Sequence, residues 1–550
     1  MLWPKVLKIG KSYNLRVIGN IKNHILCMPI SPMSWLAGLL GILFVRFFLE
    51  AISNPSPSGY FALDMPTLLH YGLFFLTVAL FLMIFLKIFL PFLGEHAPKI
   101  AMIAMVGIWI APLIDLGLNG VGGSPMVYIL DSPTGVLKSF FYLFSSSPAY
   151  GTTAGLQIEI TIILLAIFSA IYFSTKKFGR AILATLFFYA VLFALCSMPS
   201  ILAIFAGEAG GPTQVINFLQ SSIYSSATLD NHLQSGLTFA SQSKLLDTGF
   251  NFMIARIFFF LSIAFAYLWF WKTNKRLTLA TLKNSRPERV GNYIFIIILG
   301  ILLALKMFPN ISLNWNDYLS LFSLFLSLHF SAMFAICVND IEDVEIDKIT
   351  NTSRPLVTNS ASVGELRSTS YLFLLASVVA GYLSGLLPFF FILTFTALYY
   401  VYSAPPTKFK LIPFFSSFII GLCFVSTFMA GFYAVYPIKL SSSLPVKLTL
   451  GIFVFFFLYS HMRDVKDIEG DRKNGIMTVP VIFGKKVVGV ISSIAFLTVP
   501  IFLNIKILWL PATLATILTY YFINKEPYSE KPIFGVYLLF ILAIGLIYLI

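Results

Sequence analysis

The sequence predicts an all-α, polytopic integral membrane protein with about fifteen transmembrane helices, each roughly 20 residues long. Three observations carry this. The 550-residue chain is 58% hydrophobic and only 11% charged, with a mean hydropathy of +0.88, where soluble domains carry about 25% charged residues. Apolar runs of span length recur from one end to the other. Basic residues crowd alternate loops.

Six runs come first, at 33–51, 69–93, 101–118, 156–174, 181–206 and 250–271. The residues before them are basic and too polar for the apolar part of a signal peptide, so the first run is expected to act as an uncleaved anchor. Arg46 and Glu50 sit four apart near the end of the first run, the spacing of a helix-face ion pair. The outer loops here are rich in Ser, Gly and Pro, and no chemical motif appears in 1–271. The stretch 272–290, KTNKRLTLATLKNSRPERV, is basic, polar and contains Pro287; it reads as a cytoplasmic linker. Nine runs follow in 291–550, at 291–309, 318–338, 369–386, 388–403, 411–434, 447–461, 486–504, 506–523 and 533–550.

The net charge of +14 raises the question of nucleic acid, and the positions answer it. In the second half, outer span ends carry only Lys306, Lys439, Lys447 and Lys506, while the other loops hold the remaining Lys and Arg. This is positive-inside bias. It needs no nucleic acid, and it places the N-terminus and the linker in the cytoplasm. The cysteines at 27, 196, 337 and 423 are scattered, which suggests neither a disulfide framework nor a zinc site.

Two acidic stretches carry the chemistry. NDIEDVEIDKITNTSRP begins at Asn339, and RDVKDIEGDRKNGIMTVPVIFG begins at Arg463. Asp340, Asp343 and Asp347 are spaced D-x-x-D-x-x-x-D, and Asp464, Asp467 and Asp471 repeat that spacing. Glu345 and Glu469 occupy matching places. Together the stretches hold nine of the 23 acidic residues. On one continuous helix the three aspartates of each set would fall within about 60° of one another. Both stretches end an apolar span on the cytoplasmic side. Carboxylates this dense beside a low-dielectric membrane repel one another and call for a cation. Oxygen ligands suit Mg²⁺, which binds through one or two carboxylates and substrate phosphates. Arg354, Lys408, Lys410, Arg472 and Lys473 lie nearby in sequence or on the same side, and such side chains are natural phosphate ligands. A cation-coupled transporter or a lipid-binding membrane scaffold is the alternative. Transporter sites, however, lie near the membrane midplane, whereas these acids lie at helix ends.

With YSAPPTK at 402–408, these stretches resemble the signatures of the UbiA-type intramembrane prenyltransferases over about 275–550. The resemblance implies a nine-helix bundle that transfers a prenyl group from a polyprenyl diphosphate to a hydrophobic or amphipathic acceptor within the membrane. The acceptor would be an aromatic or quinone precursor, a tetrapyrrole, or a glycerol-phosphate lipid. The resemblance further implies Mg²⁺ held by Asn339, Asp343, Asp347, Asp467 and Asp471, with Asp340 and Asp464 assisting. Arg354, Lys408, Arg472 and Lys473 would meet the diphosphate. Tyr402 and Ser403 would stand near the reacting carbon, with Tyr399 one turn earlier. The prenyl chain would run into an apolar tunnel between helices. CDP-alcohol transferases need D-G-x-x-A-R ahead of their aspartates, which is absent. The six leading spans lie outside the resemblance. Their arrangement is faintly similar to Yip1-like membrane domains, and a scaffold or a module for docking a protein partner would look the same.

Overall fold

The structure is a computed structural model, and it describes residues 30–53, 64–120, 132–143, 153–208, 212–224, 242–309, 311–435, 445–473 and 475–549. The basic start of the chain and much of the long loops 117–153 and 207–249 lie outside these residues. Among the described residues there is no β-strand, and fifteen helices are long and apolar enough to cross a membrane. They correspond one to one with the fifteen apolar runs. The chain divides into two compact units, Met1–Leu219 with Phe258–Trp269, and Gln220–Ile257 with Phe270–Ile550.

The first unit contains α1 (Pro32–Ser53), α2 (Met65–Phe89), α3 (Ala97–Met105), α4 (Ile110–Asn119), α5 (Pro133–Phe141), α6 (Ala154–Thr175), α7 (Phe178–Cys196), α8 (Met198–Phe205) and most of α9 (Pro212–Tyr224). The spacing of Arg46 and Glu50 does produce an i,i+4 pair, at 3.0 Å. It is buried, and it extends to Glu159 on α6 at 3.2 Å. Glu159 also accepts from the Ala111 amide at 3.0 Å, and Asp115 accepts from the Gly155 amide at 2.8 Å. These bonds satisfy charges where water is scarce, and they tie α1, α4 and α6 together.

Helix α10 (Gln242–Thr273) contributes to both units. Its Arg256 is 1% exposed. It donates to the Leu383 carbonyl at 2.9 Å and to Asn316 Oδ1 at 2.5 Å, which ties this part of α10 to the second unit.

The second unit continues with α11 (Lys275–Lys283), α12 (Pro287–Met307), α13 (Trp315–Glu342), α14 (Val344–Thr350), α15 (Val363–Ser384), α16 (Leu386–Ser403), α17 (Phe415–Val435), α18 (Val446–Tyr459), α19 (Ile468–Lys473), α20 (Val479–Leu503), α21 (Trp509–Asn524) and α22 (Glu530–Ile544). Capping boxes start α13 (Asn314 with Asp317) and α15 (Ser362 with Glu365), each satisfying two otherwise orphan backbone amides. Helices α13, α15 and α16 are joined by hydroxyls. Ser331 meets Ser377 at 2.6 Å and Thr396 at 2.7 Å, and Ser327 donates to the Ser377 carbonyl at 2.8 Å. Interhelical bonds of this kind suit a membrane, where apolar contact gives helices no preference over lipid.

Helices α12 and α17 approach backbone to backbone. A Cβ on Gly431 would overlap the Ile297 carbonyl, and one on Gly300 would overlap the backbone of Phe428 and Phe432. Gly431→Ala should therefore push the two helices apart and destabilise the unit by about 1–3 kcal/mol, read as a lower unfolding temperature in detergent. Gly291→Ala, on α12 with open space around it, is the control expected to stay near wild type.

Candidate functional site

The first acidic stretch does not form one helix. α13 stops at Glu342, Asp343 adopts φ −107 and ψ 16, and α14 restarts at Val344. The aspartates therefore separate. Asp343 and Asp347 lie on one turn, with the Asp347 amide bonded to the Asp343 carbonyl at 2.8 Å, and both face a cavity of about 130 Å³. Asp340, still on α13, is not on the lining. It is 1% exposed, accepts from Asn284 Nδ2 at 2.5 Å and is ion-paired with Arg286. Asp340, expected to assist at the metal, therefore stands apart from Asp343 and Asp347, because the break at Asp343 sends the two halves of the motif in different directions.

The other groups of this stretch are engaged as follows. Asn339 lines the cavity and accepts from Ser403 Oγ at 3.2 Å. Ser403 itself is buried behind it, off the lining. Lys410 is ion-paired with Asp343. Asn351 donates to Asp347 Oδ1 at 2.8 Å and also bonds Asp467, bridging the two acidic stretches. Arg354 places Nε 4.0 Å from Asp347 Oδ2 and donates from Nη1 to Asn284 Oδ1 at 2.9 Å. Burial pushes the Asp347 carboxyl up to about 6, opposed by the Arg354 guanidinium. Lys408 is paired with Glu342 at 2.7 Å and is off the lining, while Lys410 is on it.

The second stretch also departs from a plain α-helix. Between α18 and α19 the backbone runs as a 3-10 helix over Ser460–Asp467. Runs longer than about four residues are uncommon in this form. Three residues per turn stack Asp464 over Asp467, and Arg463 over Lys466 on a neighbouring side. All four line the cavity, as does Asp471, which accepts from Thr478 Oγ1 at 3.2 Å. Arg472 and Lys473 are exposed and off the lining. They continue α19 past Asp471, on turns that face away. Tyr399 and Tyr402 line the cavity; the Tyr399 hydroxyl is 2.6 Å from that of Tyr293.

Six basic side chains share the lining with five aspartates. Of the six, Arg286, Arg289, Arg463 and Lys466 were not among the expected site residues. Arg286 and Arg289 belong to the basic stretch whose charge is sufficiently explained by topology. Nothing local shows that Asp340 turns Arg286 inward, or that Glu530 holds both Arg289 and Lys466, each at 3.5 Å. A separate apolar cavity lies among α12, α18, α20 and α22, lined by Ile296, Ile452, Phe456, Val499 and Phe540 among others.

Among the described residues no group of three or more Asp, Glu, His or Cys side chains converges on one point. Two buried carboxylate oxygens nevertheless lack a hydrogen-bond partner, Asp347 Oδ2 and Asp467 Oδ1, and both residues line the same cavity. An oxygen-seeking divalent ion that takes one or two carboxylates and completes its shell with water and phosphate fits such a pair.

The UbiA prenyltransferase family matches residues 293–526. The digeranylgeranylglyceryl phosphate synthase of Pyrococcus horikoshii is 30% identical over 229 residues, covering 40% of this chain and 77% of that protein. That of Sulfolobus acidocaldarius is 29% identical over 186 residues, covering 32% of this chain and 65% of its own length, just under two thirds. Among solved structures, a UbiA homologue from Archaeoglobus fulgidus bound to GPP and Mg²⁺ is similar at 23% identity and a TM-score of 0.38, covering 48% of this chain and 97% of that one.

Proposed function

The chain belongs to the UbiA prenyltransferase family, and on that premise we propose that it transfers a prenyl group from a polyprenyl diphosphate to the hydroxyl of a glycerol-phosphate lipid, with Mg²⁺. The observation that carries this reading is the cavity where two bare carboxylate oxygens and six cationic side chains face one another. The choice of a glycerol-phosphate acceptor is supported by the relatives, which are digeranylgeranylglyceryl phosphate synthases. The linker residues Asn284, Arg286 and Arg289 belong to the catalytic part with 291–550. The loop charge bias supports a cytoplasmic placement of the N-terminus and both aspartate stretches.

Asp347 and Asp467, with Asn339, Asp343, Asp464 and Asp471 around them, would hold Mg²⁺. When bound, the ion neutralises charge on the departing diphosphate. The chain's own residues do the rest. Arg354, Lys410, Arg463 and Lys466 bind the diphosphate oxygens and stabilise the charge that develops as the bond from C1 of the prenyl chain to oxygen breaks. Tyr399 and Tyr402 wall the position of C1 and, with Phe395, keep water from the allylic cation. The apolar cavity among α12, α18, α20 and α22 matches a prenyl chain in character.

Purified protein in lipid, given labelled geranylgeranyl diphosphate, geranylgeranylglyceryl phosphate and Mg²⁺, should release diphosphate and form a doubly prenylated lipid. EDTA should abolish both signals. An intact donor with every acceptor class offered would count decisively against prenyl transfer.

A further inference from the structure

The cavity wall carries a hydrogen-bonded pair that the reaction so far leaves idle. Ser417, in the first turn of α17, lies on the lining, and its Oγ is 2.9 Å from Nδ1 of His461. His461 is the second residue of the 3-10 segment Ser460–Asp467 that leads into the second acidic stretch, and it is 0% exposed. Phe414 and Phe457 stand edge-on to its ring, at centroid distances of 5.6 and 6.0 Å. Its Nε2 is buried with no hydrogen-bond partner.

Helix packing alone does not call for this arrangement. A bare buried ring nitrogen costs about 1–3 kcal/mol, and the same unit joins other helices with serine–serine bonds that leave nothing bare. Phe414, whose ring meets His461, is held at φ +61, a region that is strained for a bulky side chain. With the ring proton on Nε2, Nδ1 is an acceptor for the Ser417 hydroxyl. Of the five aspartates that share the cavity, Asp343 and Asp471 are already bonded by Lys410 and Thr478, and Asp347, Asp464 and Asp467 are placed with the ion. His461 offers an uncharged base that reaches the cavity through one hydroxyl.

We infer that Ser417 and His461 form a proton relay that takes the proton of the acceptor hydroxyl, which deepens the prenyl-transfer reading above and rests on it. As the bond from C1 to the diphosphate oxygen breaks, its electron pair leaves with the diphosphate and the acceptor oxygen bonds C1. The acceptor proton passes to Ser417 Oγ while the proton of Ser417 passes to His461 Nδ1. The imidazolium returns it along the same path to the departing diphosphate, so the products are an ether and protonated diphosphate. The relay suits an acceptor that gives up a hydroxyl proton.

The test uses full-length protein in lipid vesicles with labelled geranylgeranyl diphosphate, Mg²⁺ and geranylgeranylglyceryl phosphate, following ether, free prenyl alcohol and diphosphate. His461→Gln keeps a hydrogen-bonding group beside Ser417 but cannot store a proton; Ser417→Ala removes the end of the relay that borders the cavity. Each should lower kcat for ether formation by roughly 100-fold. KM for both substrates should stay within about threefold, since only the transition-state step is touched, and a larger share of donor should be lost as free alcohol. Binding of a thiolodiphosphate analogue of the donor is measured on the same samples. Wild-type kcat in His461→Gln would overturn the relay, as would loss of analogue binding in both variants, which marks a packing role. Product from an aromatic acceptor but not from the alcohol overturns the relay and leaves prenyl transfer standing. No product from wild type with any acceptor overturns both.

Discussion

Asp467→Asn should lower prenyl transfer by roughly 10²–10³-fold, the loss seen when one preorganised charge-stabilising contact is removed, and Asp347→Asn should do the same. In each residue one carboxylate oxygen is buried, faces the cavity and lacks a hydrogen-bond partner. An amide keeps the size of the side chain and gives up the charge that would hold a divalent ion. Little stability should be lost, because an uncharged group is easier to bury than an unpaired carboxylate. The defect should thus appear as weaker Mg²⁺-dependent binding of a donor analogue by correctly folded protein. Asp340→Asn is the informative contrast. It stands in the same motif but off the cavity, held by Asn284 and Arg286, so Mg²⁺ dependence should stay close to wild type. Equal Mg²⁺ defects in all three variants would refute the separation of roles within the motif.

Arg286→Ala is expected to be the most destabilising single change near the site. The side chain of Asp340 is 0% exposed and that of Arg286 13%. Removing the guanidinium leaves a buried carboxylate with only the Asn284 amide, and breaking a buried pair from one side costs about 3–5 kcal/mol. Asn284 also accepts from Arg354, so the loosened amide should release Arg354 and raise KM for the donor. Replacing both partners, as Arg286→Met with Asp340→Leu, should lose less stability than Arg286→Ala alone, since no uncompensated charge remains. Thermal unfolding of the three proteins in one detergent checks the order, and an Arg286→Ala protein as stable as wild type would remove the stabilising role given to this pair.

Much of this was open to reading along the chain, and the parts that were not share one character. The spans could be placed because crossing a bilayer depends on about 20 consecutive residues and little else. The aspartate stretches stood out because nine of 23 acids in two short segments is a local fact, and so is their matched spacing. The inward turn of Arg286 and Arg289 was hidden, since their charge had a sufficient local explanation in topology. That Lys410 and not Lys408 lines the cavity was hidden too, because two lysines one residue apart differ only in the direction their backbone gives them. Ser417 and His461, 44 positions apart, carry no pattern at all.

The sequence by itself determined that this protein lies in the membrane as some fifteen helices, that its acids concentrate at two helix ends, and which family it belongs to. The first two follow from composition and short-range spacing, and the third from the resemblance of the acidic stretches to the family's signatures. Only the tertiary structure decided which carboxylate oxygens are left bare and which are tied up. That choice depends on a break at Asp343, a 3-10 turn at Ser460–Asp467 and partners such as Asn284, Arg286 and Glu530. These groups are brought together by helix packing, and the energy of a buried charge is set by neighbours that proximity in sequence does not supply.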